Sequence, residues 1–169
     1  MRTVGKITTK TQGTVEDGDN TMSHTYTSLV YHVVFSTKGH VKSLKKERRA
    51  ELFVYLAALI KEKGGKVIII NGVEDHVHIL FELPPSVALS DVMRFVKANS
   101  SKWFKERFKV AFAWQTGFGA FSVSRSGIKK VSEYIRNQEI HHQKRDLREE
   151  FILLLDKNGV DFDQDHLWK

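Results

Sequence analysis

The chain has 169 residues, a formal net charge of +7 and no cysteine, which excludes disulfide scaffolds, thiol catalysis and cysteine-based zinc sites. Its 41% apolar and 11% aromatic residues are enough to fill the core of one domain, and argue against a disordered chain. No apolar run reaches the roughly 20 residues that cross a bilayer, so we expect a cytoplasmic protein without a membrane partner. The positive charge favours an anionic partner such as nucleic acid.

The first part of the chain, residues 1–22, is polar, rich in threonine and glycine, and without a periodic apolar face. This composition is typical of a disordered leader or an upstream extension, and Met22 is a candidate natural start. We therefore expect a single domain over residues 23–169.

Four strands and four helices are predicted after the leader. Runs rich in β-branched and aromatic residues predict strands at 26–36, 66–70, 75–83 and 117–124. Helical spacing predicts helices from a cap at Ser43 to Gly64, at 90–107, at 127–142 behind a cap at Ser126, and at 145–157.

This β-α-β-β-α-β order followed by helices is typical of an α+β, ferredoxin-like (split βαβ) fold. It predicts an antiparallel sheet with helices on one face, plus a C-terminal helix that carries a tyrosine. Many unrelated activities use this fold, so function has to be argued from particular residues.

Two histidines lie two residues apart on the predicted third strand, within EDHVHILFEL. Side chains of a strand alternate between faces, so His76 and His78 share one face, while Val77, Ile79 and Phe81 face a core. Two neutral imidazoles side by side are half of a divalent-metal site, although two half-exposed histidines that bind nothing fit the pattern as well. The aspartate and histidine that complete a two-metal hydrolase motif, H-x-H-x-D-H, are replaced by leucine and phenylalanine, which disfavours that class of enzyme.

The predicted third helix carries Tyr134 and Gln138 one turn apart, on nearly the same face. Gln138 is aligned with apolar residues of this helix, so its amide needs a polar partner if it is buried. Its side-chain oxygen is one candidate for a third metal ligand, and His142, a further turn along, is another. Alternatively, Tyr134 is a half-buried core aromatic and Gln138 is a surface amide.

Five motifs span nearly the whole chain from Met22 onward: SLVYHVVFSTKG, GVEDHVHILFELPP, VMRFVKANSSKWF, FAWQTGFGAFSVS and VSEYIRNQEIHH. In this order they resemble the small single-tyrosine HUH transposases of the insertion-sequence 200/605 type, whose relatives act on repetitive extragenic palindromes.

The resemblance implies a role for each matching residue. His76, His78 and Gln138 would hold a divalent metal, Mg²⁺ or Mn²⁺, and Tyr134 would be the nucleophile. In such enzymes the tyrosine attacks single-stranded DNA at hairpin-bearing ends, leaving a 5′-phosphotyrosine and a free 3′-hydroxyl. Because two ends need two nucleophiles, we expect a homodimer, in which the tyrosine helix of one subunit can complete the histidine site of the other.

Positive charge is concentrated in three segments, 38–49, 94–109 and 125–145, which fits a DNA substrate. The candidate DNA contacts are Lys38, Lys42, Arg94, Lys97, Asn99, Ser100, Lys102, Arg125, Lys129, Lys130, Arg136 and His142. Four aromatic residues are candidates for stacking on unpaired bases, although the first and last also fit a core: Trp103, Trp114, Phe118 and Phe121. The charged runs are also compatible with solvated helix faces.

Two other functions stay open. A domesticated relative would process chromosomal repetitive palindromes. A non-catalytic ferredoxin-like protein would bind nucleic acid, with His76 and His78 in a structural role only.

Overall fold

The computed structural model describes residues 26–142, 146–163 and 167, so the predicted leader lies outside the described residues. One antiparallel sheet has the strand order β2-β3-β1-β4. Its strands are β1 (Val30–Ser36), β2 (Lys66–Gly72), β3 (His76–Glu82) and β4 (Gly119–Ser122). The order of elements and the sheet confirm the predicted α+β, ferredoxin-like fold.

The helices lie where apolar periodicity predicts them, with two differences at their ends. They are α1 (Lys46–Glu62), α2 (Leu89–Phe108), α3 (Ile128–Arg136), α4 (Gln138–His141) and α5 (Leu147–Lys157). The predicted third helix is interrupted at Asn137, whose φ of −94° and ψ of 20° separate α3 from α4. The predicted caps at Ser43 and Ser126 are wrong, because α1 and α3 follow Lys45 and Gly127 without a side-chain cap.

One face of the sheet packs against α1 and α2 and forms the main core. Val77, Ile79 and Phe81 of β3 are fully buried there, as the strand alternation predicts. They meet leucines of α1 and Phe104 of α2. Burial of a large apolar side chain stabilises the fold by roughly 1.5–3 kcal/mol, so this face holds the sheet together.

The opposite face of the sheet is covered by α3 and α5. Leu80 of β3 packs with Ile135 of α3, while Phe121 of β4 packs with Leu155 of α5. This second layer contains the C-terminal helix with the tyrosine that the sequence predicts. Among the described residues, no helix is long and apolar enough to cross a membrane.

Ser100 lies inside the core and not on a DNA-binding surface. Its side chain is fully buried in α2, its hydroxyl donates to the carbonyl of Val96 at 2.6 Å, and it accepts a hydrogen bond from Trp114 Nε1 at 2.9 Å. The sequence predicts Ser100 as a candidate DNA contact within the basic segment 94–109, and its complete burial contradicts that prediction. The structure instead uses this hydroxyl to satisfy a buried indole, and Ser100 has no place on a DNA surface.

We expect Ser100→Ala to lower the free energy of unfolding by about 1–3 kcal/mol, because the buried N–H of Trp114 would lose its acceptor. Chemical denaturation measures this change, with Ser101→Ala on the same helix as the matched control. Affinity for DNA should stay unchanged. A variant with normal stability and weaker DNA binding would contradict the structural role.

Candidate active site

Three histidines lie together on the face of the sheet that carries α3 and α5. His76 and His78 are fully buried on β3, with ring centroids 5.0 Å apart, and His32 of the neighbouring β1 stacks on His78 at 5.3 Å. The β1–β3 register pairs His78 with Val34 and His32 with Leu80, so all three imidazoles point to the same side. The sequence predicts the pair on β3 but not its neighbour on β1.

Each imidazole of the β3 pair has a hydrogen bond on Nδ1, which leaves Nε2 facing inward. His76 Nδ1 lies 2.7 Å from Asp75 Oδ1, and because a carboxylate only accepts, this nitrogen carries the proton. His78 Nδ1 lies 3.0 Å from His32 Nε2. Such outer partners fix the ring orientation and tautomer of histidines that bind metal ions.

The pKa values of the histidines follow from burial and from two carboxylates. Burial lowers the pKa of His32 to about 3 and that of His78 to about 4, so both are neutral at pH 7. Burial also lowers the pKa of His76, but the carboxylates of Asp75 and Glu150 outweigh it and raise that pKa. Burial raises the pKa of Asp75, but its hydrogen bond from His76 outweighs burial and lowers the pKa of this carboxyl.

Tyr134 and Gln138 reach the histidines from α3 and α4. The Tyr134 ring lies edge-on to His78, with centroids 5.9 Å apart, and Gln138 is fully buried. Both side chains contact the same carboxylate, that of Glu150, which confirms that they share one side of the helical segment.

Two polar side chains, one from the sheet and one from α1, hold α3 and α4 in place. Asn71, in β2, donates from Nδ2 to the carbonyls of Ile135 and Arg136 at 2.9 and 3.0 Å, where α3 ends. Arg49 of α1 donates to Glu139 of α4 at 3.0 Å. These contacts fix the position of the residues on either side of the break at Asn137.

Glu150 of α5 is the centre of the site and was missed by sequence reasoning. Its Oε1 accepts hydrogen bonds from the Tyr134 hydroxyl and, at 2.8 Å, from Gln138 Nε2. Its carboxylate lies 3.4 Å from Nε2 of both His76 and His78. Burial raises the pKa of Glu150, but the surrounding imidazoles, His142 first, outweigh burial and hold this pKa far below its usual range.

His142 belongs to this cluster and is largely shielded from solvent. Its ring centroid lies 4.6 Å from that of His76, and its Nε2 lies 3.3 Å from Glu150 Oε2. The side chain is 17% exposed. The sequence predicts His142 either as a metal ligand or as a DNA contact, and its position fits a metal ligand better.

The donor atoms of the cluster fit a divalent cation. Among the described residues, five buried polar atoms here lack a hydrogen-bond partner: Nε2 of His76, His78 and His142, Oε1 of Gln138, and Oε2 of Glu150. Ligand atoms of His76, His78 and Glu150 all lie within 4.8 Å of one another. Buried polar groups are normally paired, and imidazole nitrogens and carboxyl oxygens are common ligands of transition-metal ions.

A cleft of about 1190 Å³ opens beside the tyrosine, between β4, α3 and α5. Tyr134, Glu150 and His32 line it, together with Lys130 of α3 and Lys157 of α5. One chain therefore supplies the histidine pair, the tyrosine and a cleft that reaches Tyr134 and Glu150.

Most of the candidate DNA-contacting side chains are exposed. They are Lys38, Lys42, Arg94, Lys102, Arg125, Lys129, Lys130 and Arg136. Arg94 pairs with Asp91 at 2.7 Å and Arg125 pairs with Glu82, but exposed pairs of this kind are weak and leave the cations available to phosphates.

The side chains of two further candidates on α2 donate hydrogen bonds to backbone carbonyls. Lys97 is half-buried and donates from Nζ to the carbonyls of Gln115, at 2.6 Å, and Gly117, and burial lowers its pKa to about 8. Asn99 donates to the carbonyl of Phe95 at 2.8 Å.

Of the four candidate stacking aromatics, Phe118 is the exposed one. Trp114 and Phe121 are buried in the core, and Trp103 stacks on Tyr55 with ring centroids 4.6 Å apart. Phe118 is 38% exposed, in the loop just before β4.

Comparison with known proteins identifies relatives over most of the chain. The transposase for insertion sequence element IS200 of Salmonella typhimurium is 27% identical over 127 residues, which cover 71% of this chain and 83% of the relative. The ISDra2 transposase TnpA of Deinococcus radiodurans is 25% identical over 117 residues, which cover 65% of this chain and 84% of the relative.

Two solved structures share the fold. A crystal structure of a candidate transposase from Deinococcus radiodurans R1 gives a TM-score of 0.56 at 21% identity, over 68% of this chain and 95% of that chain. A REP-associated tyrosine transposase bound to a REP hairpin gives a TM-score of 0.54 at 15% identity, over 72% of this chain and 74% of that chain.

A family match covers the sheet, the histidine pair, Tyr134 and Gln138. It extends over residues 25–138, which is more than half of the chain, and its description is "Transposase IS200 like". Together with the curated transposases, this match identifies the family, which the fold alone does not. The chain belongs to the family of IS200-like transposases.

Proposed function

We propose that the protein is a metal-dependent transposase that cleaves and rejoins single-stranded DNA through a 5′-phosphotyrosine at Tyr134. One observation supports this proposal above all others. The Tyr134 hydroxyl is bound to the same carboxylate that faces His76 and His78, so nucleophile and candidate metal ligands form a single site.

The cleavage step needs no external energy source, because one phosphoester bond is exchanged for another. The Tyr134 oxygen forms a bond to the scissile phosphorus, the bond from phosphorus to the 3′ oxygen breaks, and the phenolic proton ends on the departing 3′ oxygen. A tyrosine hydroxyl has an ordinary pKa near 10 and is a weak nucleophile at pH 7. A divalent ion, when bound, supplies charge neutralisation at the phosphate.

His76, His78 and Gln138 would hold this ion. The free Nε2 atoms of the histidines and the unpartnered Oε1 of Gln138 support this assignment. Because the carboxylate of Glu150 can only accept, the Gln138 amide presents its NH₂ group to it and keeps its oxygen for another partner. Mn²⁺ accepts imidazole ligands readily, whereas Mg²⁺ prefers oxygen and would depend on the amide, phosphate and water.

The substrate would be single-stranded DNA beside a hairpin. The cleft lined by Tyr134 gives an extended strand a route to the nucleophile, and its two lysines, Lys130 and Lys157, supply positive charge for the phosphates. The relative bound to a REP hairpin supports recognition of hairpin DNA by this fold. It also makes processing of chromosomal palindromes the second candidate function.

We expect Tyr134→Phe to abolish the covalent protein–DNA adduct, because the phenyl ring retains the packing but lacks the nucleophilic oxygen. Labelled single-stranded hairpin DNA is incubated with Mn²⁺, and the adduct is measured by denaturing gel and by mass spectrometry of the tyrosine peptide. Tyr55→Phe, on α1, is the matched control and should react normally. An adduct formed by Tyr134→Phe would overturn the assignment of the nucleophile.

Lys130→Ala should weaken binding of single-stranded DNA and reduce the salt dependence of binding by about one unit of slope, because one phosphate contact is lost. Fluorescence anisotropy over a range of salt concentrations measures both quantities. Lys61→Ala, at the exposed end of α1, is the control. Equal effects from both variants would place the DNA path elsewhere.

We further propose that the protein works as a homodimer, since exchange of two ends needs two tyrosines. Because one chain contains histidines and tyrosine in mutual contact, each subunit should act with its own residues. Light scattering should give the mass of a dimer, and a mixture of Tyr134→Phe with His76→Ala should form no adduct. A monomer mass would contradict the dimer, and an adduct in the mixture would show that subunits share sites.

A further inference from the structure

Glu150 lies outside the part of the chain that the family match covers. The family match ends at Gln138, and Glu150 follows it by twelve residues, in α5. Nevertheless the side chain is only 6% exposed, and it occupies the inward side of a helix whose other buried residues are Leu147 and Leu155. An ionised carboxylate at an apolar position is costly to bury unless charged or polar groups compensate it.

Hydrogen bonds are made to one carboxylate oxygen, whereas the other oxygen faces imidazole nitrogens. Oε1 accepts from Tyr134 and Gln138, but Oε2 has no hydrogen-bond partner among the described residues. Oε2 lies 3.4 Å from Nε2 of His76 and 3.3 Å from Nε2 of His142.

The contact with His76 brings two electron-rich atoms together. The Nδ1 proton of His76 is donated to Asp75, so when Nε2 carries no proton, as metal binding requires, it presents a lone pair to the carboxylate. Two lone pairs that face one another repel unless a positive charge lies between them. His78 Nε2 lies 3.4 Å from Oε1 of the same carboxylate. When His78 donates its Nδ1 proton to His32, this Nε2 also presents a lone pair, and a positive charge is needed between the two atoms.

We propose that Glu150 is a ligand of the divalent ion held by His76 and His78, and thereby extends the metal site from the family region onto α5. This inference rests on the proposed function, since it concerns the same ion. Donor atoms of the three residues all lie within 4.8 Å of one another, which is compatible with one shared cation.

The carboxylate would change what the site binds. Two neutral imidazoles and one amide carry no charge, and Glu150 adds one negative charge and a hard oxygen donor. Such a mixed nitrogen and oxygen set suits Mn²⁺, and the added charge tightens the binding of a divalent cation. The same carboxylate holds the Tyr134 hydroxyl, so it also fixes the distance between ion and nucleophile.

The test is a titration of the full chain with MnCl₂ at constant pH, without DNA. Calorimetry measures the affinity, and the electron paramagnetic resonance signal of free Mn²⁺ measures the number of ions bound. Glu150→Gln keeps the shape of the side chain but removes its charge, and should weaken Mn²⁺ binding about tenfold or more. Glu149→Gln, the exposed neighbour on α5, is the matched control and should bind as the unmodified protein does.

Two further variants make the result decisive. Glu150→Asp retains the charge and should recover part of the affinity that Glu150→Gln loses, which a purely structural role would not require. His76→Ala separates this inference from the proposed function. If His76→Ala loses Mn²⁺ binding while Glu150→Gln binds normally or more tightly, Glu150 is not a ligand. If neither variant loses binding, the metal site itself is wrong. A circular-dichroism melt of each variant confirms that it is folded.

Discussion

The register of β3 against β1 is the constraint on which the rest of the structure depends. In this register Val77, Ile79 and Phe81 enter the main core, while His76 and His78 face the opposite layer. A shift by one residue would place both imidazoles among the leucines of α1 and move three large apolar side chains into the polar layer under α3 and α5. The burial that stabilises the domain therefore also determines where the histidine pair lies.

The second layer turns this pair into a site, because three separate segments reach the same point. Asp75, just before β3, and His32 of β1 orient the two imidazoles, and α3 with α4 positions Tyr134 and Gln138. Glu150 then connects the tyrosine to the histidines. These polar groups are buried, so each needs a partner, and this requirement links the position of α5 to the chemistry of the site.

The sequence predicts the parts of this site that depend on local periodicity. Alternation on β3 predicts the histidine pair, and helical spacing predicts that Tyr134 and Gln138 share one side. The contact between His78 and His32 could not be read in this way, because it depends on strand pairing between residues 46 positions apart. Glu150 could not be found either, since its helix has the ordinary pattern of an amphipathic surface helix with acidic residues in its first turn. Ser100 was misplaced for a related reason, because its partner Trp114 comes close only in the folded chain.

We propose that the buried histidine and glutamate cluster around β3 binds a divalent metal ion beside Tyr134. The most direct measurement is an anomalous difference map from a crystal of the full chain soaked in MnCl₂. We predict one peak within coordination distance of Nε2 of both His76 and His78. A map without a peak at the histidine pair, from a crystal in which Mn²⁺ binds elsewhere on the chain, would contradict the account.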